Sequence, residues 1–224
     1  KQVEKNKLDI SSIYTEMENI GNRITNVADE IYQGMDVERD NQIRELDKMG
    51  FEVANHTRTH AIASKQSKEK FMEELHYIEG KCDSMGIEKP SGFAYPAYDR
   101  SRPVVEILHD KGYKFARIGG NRAYDPVNDY PLLIPSWATG SDNKAQIMDA
   151  FNDARNGKIV VITIHGVPDV EHPWVNISPS LFEEYLQYLS EHHYKVVSLR
   201  DLNSYINVGE AMKTICWESP PIGN

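Results

Sequence analysis

The sequence predicts an α/β fold with parallel strands, either a (β/α) barrel or a layered sheet, and three observations carry that expectation. From Asp36 onward, segments with helical apolar spacing alternate with short strand-like runs. The run Lys158-Ile-Val-Val-Ile-Thr-Ile164 is almost continuously apolar, as a strand buried on both faces of a parallel sheet is. Three strand-like runs also end on polar groups or proline, at the end of the strand where α/β proteins gather ligands. Phe51–Asn55 runs into His56 and His60, Ser91–Tyr95 into Pro96, and Lys158–Ile164 into His165.

The elements follow in order. Val3, Ile10, Met17, Ile24 and Ile31 recur every seven residues, with Ile13, Ile20 and Val27 interleaved, so residues 1–34 read as a heptad-patterned amphipathic helix. That seam is either packed on the domain or forms a coiled coil that makes the chain a homo-oligomer. Residues 36–49 read as a helix stopped by Gly50, and 67–85 as a second with Phe71, Leu75, Ile78 and Cys82 on one face. Pro103 suits the first turn of a third helix, which Gly112 stops, and Tyr113–Arg117 is the next strand. Leu132–Pro135 is short and extended, and 143–156 is helical with Ile147, Phe151 and Ala154 inward. Ser178-Pro179 opens another helix, Tyr194–Ser198 reads as a strand, and Ser198-Leu-Arg-Asp201 resembles a capping box before a last short helix. The expected domain organisation is a helix over 1–34, the α/β domain over 35–208 and an irregular tail over 209–224.

Composition narrows the function classes. The 224 residues are 40% hydrophobic and 26% charged, enough for one domain with a core, and no apolar run approaches the length of a membrane span. A formal charge of −9 with no basic stripe excludes a nucleic-acid binder. The chain starts on Lys1 without a signal peptide, from which removal of upstream residues is expected. Cys82 and Cys216 lack metal-type spacing, and nothing in the pattern pairs them.

His56 and His60 stand four residues apart at the end of a strand. Two imidazoles on such a support, with one ligand from elsewhere, make an open site for zinc or a similar ion. The alternative is a polar loop in which both rings are satisfied by hydrogen bonds.

Taken together, these motifs resemble the polysaccharide deacetylases of the NodB-homology type, carbohydrate esterase family 4, over about residues 35–206. Asn55-His-Thr-Arg-Thr-His60 is similar to that family's H-[ST]-x-x-H metal motif, Phe93-Ala-Tyr-Pro96 to its third motif, and Ile162-Thr-Ile-His165 to its last. The resemblance implies an irregular (β/α) barrel, a divalent metal (zinc foremost) on His56 and His60, and His165 as general acid. It also implies the backbone N–H of Ala97 as oxyanion donor. Tyr95, Trp137 and Trp174 are the candidate substrate-binding aromatics. Two departures stand out. The family's first motif, T-F-D-D, which supplies a base and a metal aspartate, has no counterpart here. None of Asp9, Asp29, Asp36, Asp40 or Asp47 ends a convincing strand. Ala94 also stands where many members place an arginine that braces the base. Asp169 and Glu171 are candidate substitutes for the absent carboxylates.

The function expected from this resemblance is a metal-dependent hydrolase that removes N-acetyl groups from a polysaccharide or other N-acetylated sugar. The rival expectations are a degenerate deacetylase fold that binds carbohydrate without hydrolysing it, an assembly role for the N-terminal helix, and a chain whose first strand lies upstream. A glycan substrate places the protein in the cell envelope or outside, through the resemblance only.

Overall fold

Parallel strand pairing does form, but in short pieces. The computed structural model describes residue 34 and residues 36–216 of the chain, so the heptad helix expected over 1–34 lies outside the described residues. The chain divides into two units, 1–50 and 51–224. In the first, residues 36–48 form helix α1, with Val37, Leu46 and Met49 exposed. The second carries His56, His60 and His165.

In that unit, β1 (Gly92–Ala94) pairs in parallel with β2 (Phe115–Arg117), matching Gly92 to Phe115 and Ala94 to Arg117. A second parallel pair joins β3 (Trp137–Ala138) to β4 (Ile162–Thr163). Isolated bridges extend the first pair on both sides, Asn55 to Phe93 and Arg117 to Ile134. The fold is therefore mixed α/β with parallel order, while the described residues do not close a barrel. Of the strand expected at 51–55, only Asn55 is bridged, and Phe51 is 55% exposed. No described residue pairs with its other edge, so the run lacks the ladder that would extend it. The strand expected at 194–198 does not form either, and Val196 is exposed.

The helices follow their end signals. Ser67 caps α2 (Lys68–Ser84) by accepting the Lys70 N–H at 3.2 Å, and Phe71, Leu75 and Cys82 face inward as their spacing requires. Gly86, at φ +71°, takes the left-handed conformation that ends the helix. In α3 (Arg102–Asp110), Pro103 occupies the first turn and Val104, Val105, Ile107 and Leu108 are buried. Next come α4 (Lys144–Phe151) and α5 (Pro179–Glu191), the latter capped by Ser178 on the Leu181 N–H at 3.1 Å. Beyond a 3-10 turn at Arg200–Ser204 lies α6 (Val208–Thr214), where an irregular tail was expected; Val208 and Ala211 are buried. No disulfide joins the cysteines: Cys82 is buried on α2 and Cys216 is exposed.

Three apolar clusters hold these pieces. Phe71, Leu75, Phe93, Tyr95, Leu108 and Tyr113 join α2 and α3 to the first sheet. Phe115, Tyr124, Ile134, Leu202 and Val208 join its far side to the C-terminal segment, and Trp137, Ile147, Phe151 and Tyr185 join the second sheet to α4 and α5.

Glu52 fastens residue 200 to the start of the histidine strand. Its Oε2 accepts the Arg200 N–H at 2.8 Å, while its Oε1 is buried with no hydrogen-bond partner among the described residues. Burial raises its pKa above the ordinary 4.5, outweighing the Arg200 N–H. The folded state thus holds this proton more tightly than the unfolded one. The stability it contributes is present below 4.5 and is lost as pH rises through the raised folded value. Glu52→Gln keeps the acceptor and is neutral at every pH. It is expected to leave stability at pH 7 unchanged or raised by up to about 1 kcal/mol, and to flatten stability against pH above 4.5. Urea titrations across pH 4–8 check both.

Candidate active site

The site begins with a buried amide. Asn55, wholly buried, donates through Nδ2 to the Leu75 carbonyl at 3.1 Å and to the Tyr113 hydroxyl at 2.8 Å, and its Oδ1 accepts the Thr57 N–H at 2.9 Å. The segment that leads into His56 is thereby tied to α2 and to Tyr113, two residues before β2, and the chain is turned at Thr57. Glu74 of α2 supports the next stretch. Its carboxylate accepts the N–H groups of Arg58 (2.9 Å) and Thr59 (2.7 Å) and the Thr59 hydroxyl (3.1 Å). With 6% of its surface exposed, Glu74 is an internal anchor. Sequence reasoning missed both contacts, although a glutamate on the apolar face of an amphipathic helix was a visible signal for the second.

This scaffold presents the two histidines together. The rings of His56 and His60 lie 4.8 Å apart, edge to face at 78°. His56 Nδ1 contacts the Ala94 carbonyl at 2.7 Å, which selects the tautomer protonated at Nδ1 and leaves Nε2 for a ligand. Burial lowers the His56 pKa despite that carbonyl, and the charges of Arg117, His60 and His165 push the same way. His165 follows β4 and is exposed at the edge of the group. Its pKa is also lowered, by partial burial and by Arg117, with Asp169 opposing. Both imidazoles are therefore neutral at neutral pH.

Strain collects here. Thr57 (φ +64°), His60 (+56°), Ala97 (+49°) and Tyr98 (+57°) are all left-handed without being glycine. Each costs on the order of 1–3 kcal/mol, which the surrounding contacts must hold in place. In the turn Pro96–Tyr98, the N–H groups of Tyr98 and Asp99 go to the carbonyls of Tyr95 and Pro96, and Ala97 is exposed.

The aromatic expectations divide. Tyr95 is wholly buried and its hydroxyl donates to the Leu132 carbonyl at 3.1 Å, so it is a core residue and offers no face to a sugar. Trp137 is likewise buried among Ile147, Phe151 and Tyr185. Both readings are corrected: Tyr95 packs into the cluster of Phe93 and Tyr113, and Trp137 into that of Ile147 and Phe151. Trp174 is different, 72% exposed and edge-on to His172 at 5.5 Å. Asp169 contacts His172 Nδ1 at 3.1 Å and accepts its N–H at 2.9 Å, so it orders its own loop; Glu171 is exposed.

Sequence reasoning also overlooked Arg117, the last residue of β2. Half-buried, it stands beside Ala94 in the strand register, and its guanidinium lies 5.3 Å from the centre of the Tyr98 ring. Tyr98 in turn packs on Gly119, where an added Cβ would come within 3.1 Å of the ring.

Two imidazoles whose rings lie 4.8 Å apart, one with its Nδ1 on a carbonyl, suit zinc or a similar ion. The described residues supply only this pair: among them, no three His, Cys, Asp or Glu side chains gather to hold a metal.

A mixed α/β fold with histidines gathered at the ends of parallel strands defines the class. Residues 12–116 match the polysaccharide deacetylase family, a span that holds His56, His60 and Ala97 but not His165. Among solved structures, a protein from Mycobacterium smegmatis described as a polysaccharide deacetylase has a TM-score of 0.62 at 14% identity, covering 81% of this chain and 71% of its own. The Bc1960 peptidoglycan N-acetylglucosamine deacetylase, in complex with an N-oxidanyl-benzamide, has a TM-score of 0.52 at 10% identity, covering 73% and 68%. No curated protein matches significantly. The resemblance to polysaccharide deacetylases is thus shown, and the structural likenesses establish a shared fold.

Because Glu74 carries two backbone N–H groups and a hydroxyl, Glu74→Ala is expected to destabilise the fold by about 2–3 kcal/mol. Faster amide exchange at Arg58 and Thr59, followed by NMR, distinguishes a loosened histidine loop from general weakening.

Proposed function

We propose that this chain hydrolyses the N-acetyl group of an N-acetylated sugar within a glycan, with His165 moving the proton and His56 and His60 holding a divalent metal. The observation that supports this best is that the His56 ring, 4.8 Å from His60, is also within electrostatic reach of His165, in a chain that matches the polysaccharide deacetylase family over residues 12–116. A metal on His56 and His60 would supply Lewis-acid polarisation of the acyl carbonyl.

The remaining steps belong to the chain's own residues. His165, neutral because its pKa is lowered, accepts a proton as water adds to the acyl carbon. The Ala97 N–H donates to the oxygen on which negative charge develops. His165 then returns the proton to nitrogen as the C–N bond breaks, releasing acetate and a free amine. Trp174, exposed and edge-on to His172, offers its ring face to a sugar. One observation favours a second reading, a fold that binds glycan without hydrolysing it: the described residues supply no carboxylate to complete the metal's ligands.

Acetate release from N-acetylglucosamine oligomers, with metal content measured in parallel, separates the two. Hydrolysis requires about one zinc per chain, lost in His56→Ala. His165→Ala is expected to slow acetate release by about 10²–10⁴-fold while glycan binding persists. Since His165 must first be neutral, kcat/KM should rise with pH through a value below 6.5 and then level off; a fall over that range would remove the base role. Glycan binding with neither metal nor acetate release would establish the second reading.

A further inference from the structure

Arg117 takes no part in the reaction above, yet both His56 and His165 feel its charge. Its surroundings are unusual for a half-buried cation. Among the described residues no carboxylate pairs with it, and its interaction there is with the face of Tyr98 at 5.3 Å. Burial pulls its pKa down against the Tyr98 contribution. The acid on the site loop, Asp169, is engaged by His172. The Tyr98 hydroxyl is itself buried with no hydrogen-bond partner among the described residues. A guanidinium withdrawn from water without an opposite charge is costly, and its planar fork fits a carboxylate with two parallel hydrogen bonds. Beside it in the strand register stands Ala94, whose carbonyl meets His56 Nδ1 at 2.7 Å, so the guanidinium's strand position adjoins the histidine's.

We propose that Arg117 is a carboxylate-binding residue, holding an anionic group of the ligand beside the histidines with Tyr98 as its floor. A single guanidinium with no carboxylate paired to it among the described residues balances one negative charge, which favours a carboxylate over a phosphate dianion. Two sources share that chemistry: the acetate released by hydrolysis, or an acid group carried by the sugar. The choice of these two rests on the deacetylase reading; the binding itself does not.

The test is ligand-detected NMR with the full chain at fixed ionic strength, using acetate and glucuronate, with chloride and N-acetylglucosamine as references. Saturable carboxylate binding on the order of millimolar is expected, weakened at least about tenfold in Arg117→Gln and less in Arg117→Lys. Tighter binding of acetate assigns the site to the product, and tighter binding of glucuronate to an acidic sugar. No saturable binding of either, or equal binding by Arg117→Gln, overturns the proposal. Should the Gln variant fail to fold, the wild-type Tm decides together with Arg117→Lys. A rise with acetate beyond that with chloride, diminished in the Lys variant, supports the proposal, and equal shifts overturn it. Neither measurement depends on hydrolysis, so the proposal can fail while the deacetylase reading stands, and the reverse.

Discussion

The buried amide of Asn55 is the constraint on which the rest of the site depends. One side chain joins three places distant in sequence: the Leu75 carbonyl in α2, the Tyr113 hydroxyl before β2, and the Thr57 N–H that begins the histidine loop. Its own backbone completes the edge of the first sheet, donating to Gly92 and accepting from Ala94. A side-chain amide has both a donor end and an acceptor end, and here both are spent. An aspartate in its place would offer no donor to Leu75. His56 therefore leaves the strand in a direction set by neighbours up to 58 residues away in the chain.

The distribution of charge around that loop differs from what a metal site alone would ask for. The acid that reaches the loop, Glu74, is turned to its backbone and holds it in shape. The charge beside the imidazoles is positive, from Arg117, and helps keep them unprotonated. Neutral imidazoles can accept protons and coordinate ions; protonated ones can do neither. The same guanidinium that favours neutrality also disfavours a second cation nearby. Any ion held by His56 and His60 therefore needs an anionic companion from outside the described residues or from the ligand.

Local signals in the sequence were read accurately where one residue type serves a local purpose. Ser67 and Ser178 before helices, Pro103 within a first turn, and Gly86 and Gly112 at helix ends all stand where their chemistry places them. The HxxxH spacing that brings two imidazole rings together was legible for the same reason. Pairing was not. Strand-like runs at 51–55 and 194–198 have the composition of strands, but a strand exists only where a neighbour offers a ladder, and no local pattern encodes that. Tyr95 and Trp137 were misread because an aromatic near a motif can face either way, and both pack inward, each into its own apolar cluster. Arg117 and Glu74 were invisible as a pair of opposite roles, since each depends on what long-range packing puts beside it.

Gly119 carries a consequence of a different kind. The Tyr98 ring rests where a side chain at 119 would begin, and that ring supports the Arg117 guanidinium. A single methyl at this position would press on the ring and so displace the guanidinium that rests on it. Drift in a sequence usually leaves its mark on reacting residues or on the core. Here a position two residues beyond the arginine, lacking any functional group, governs where that charge sits by steric means alone.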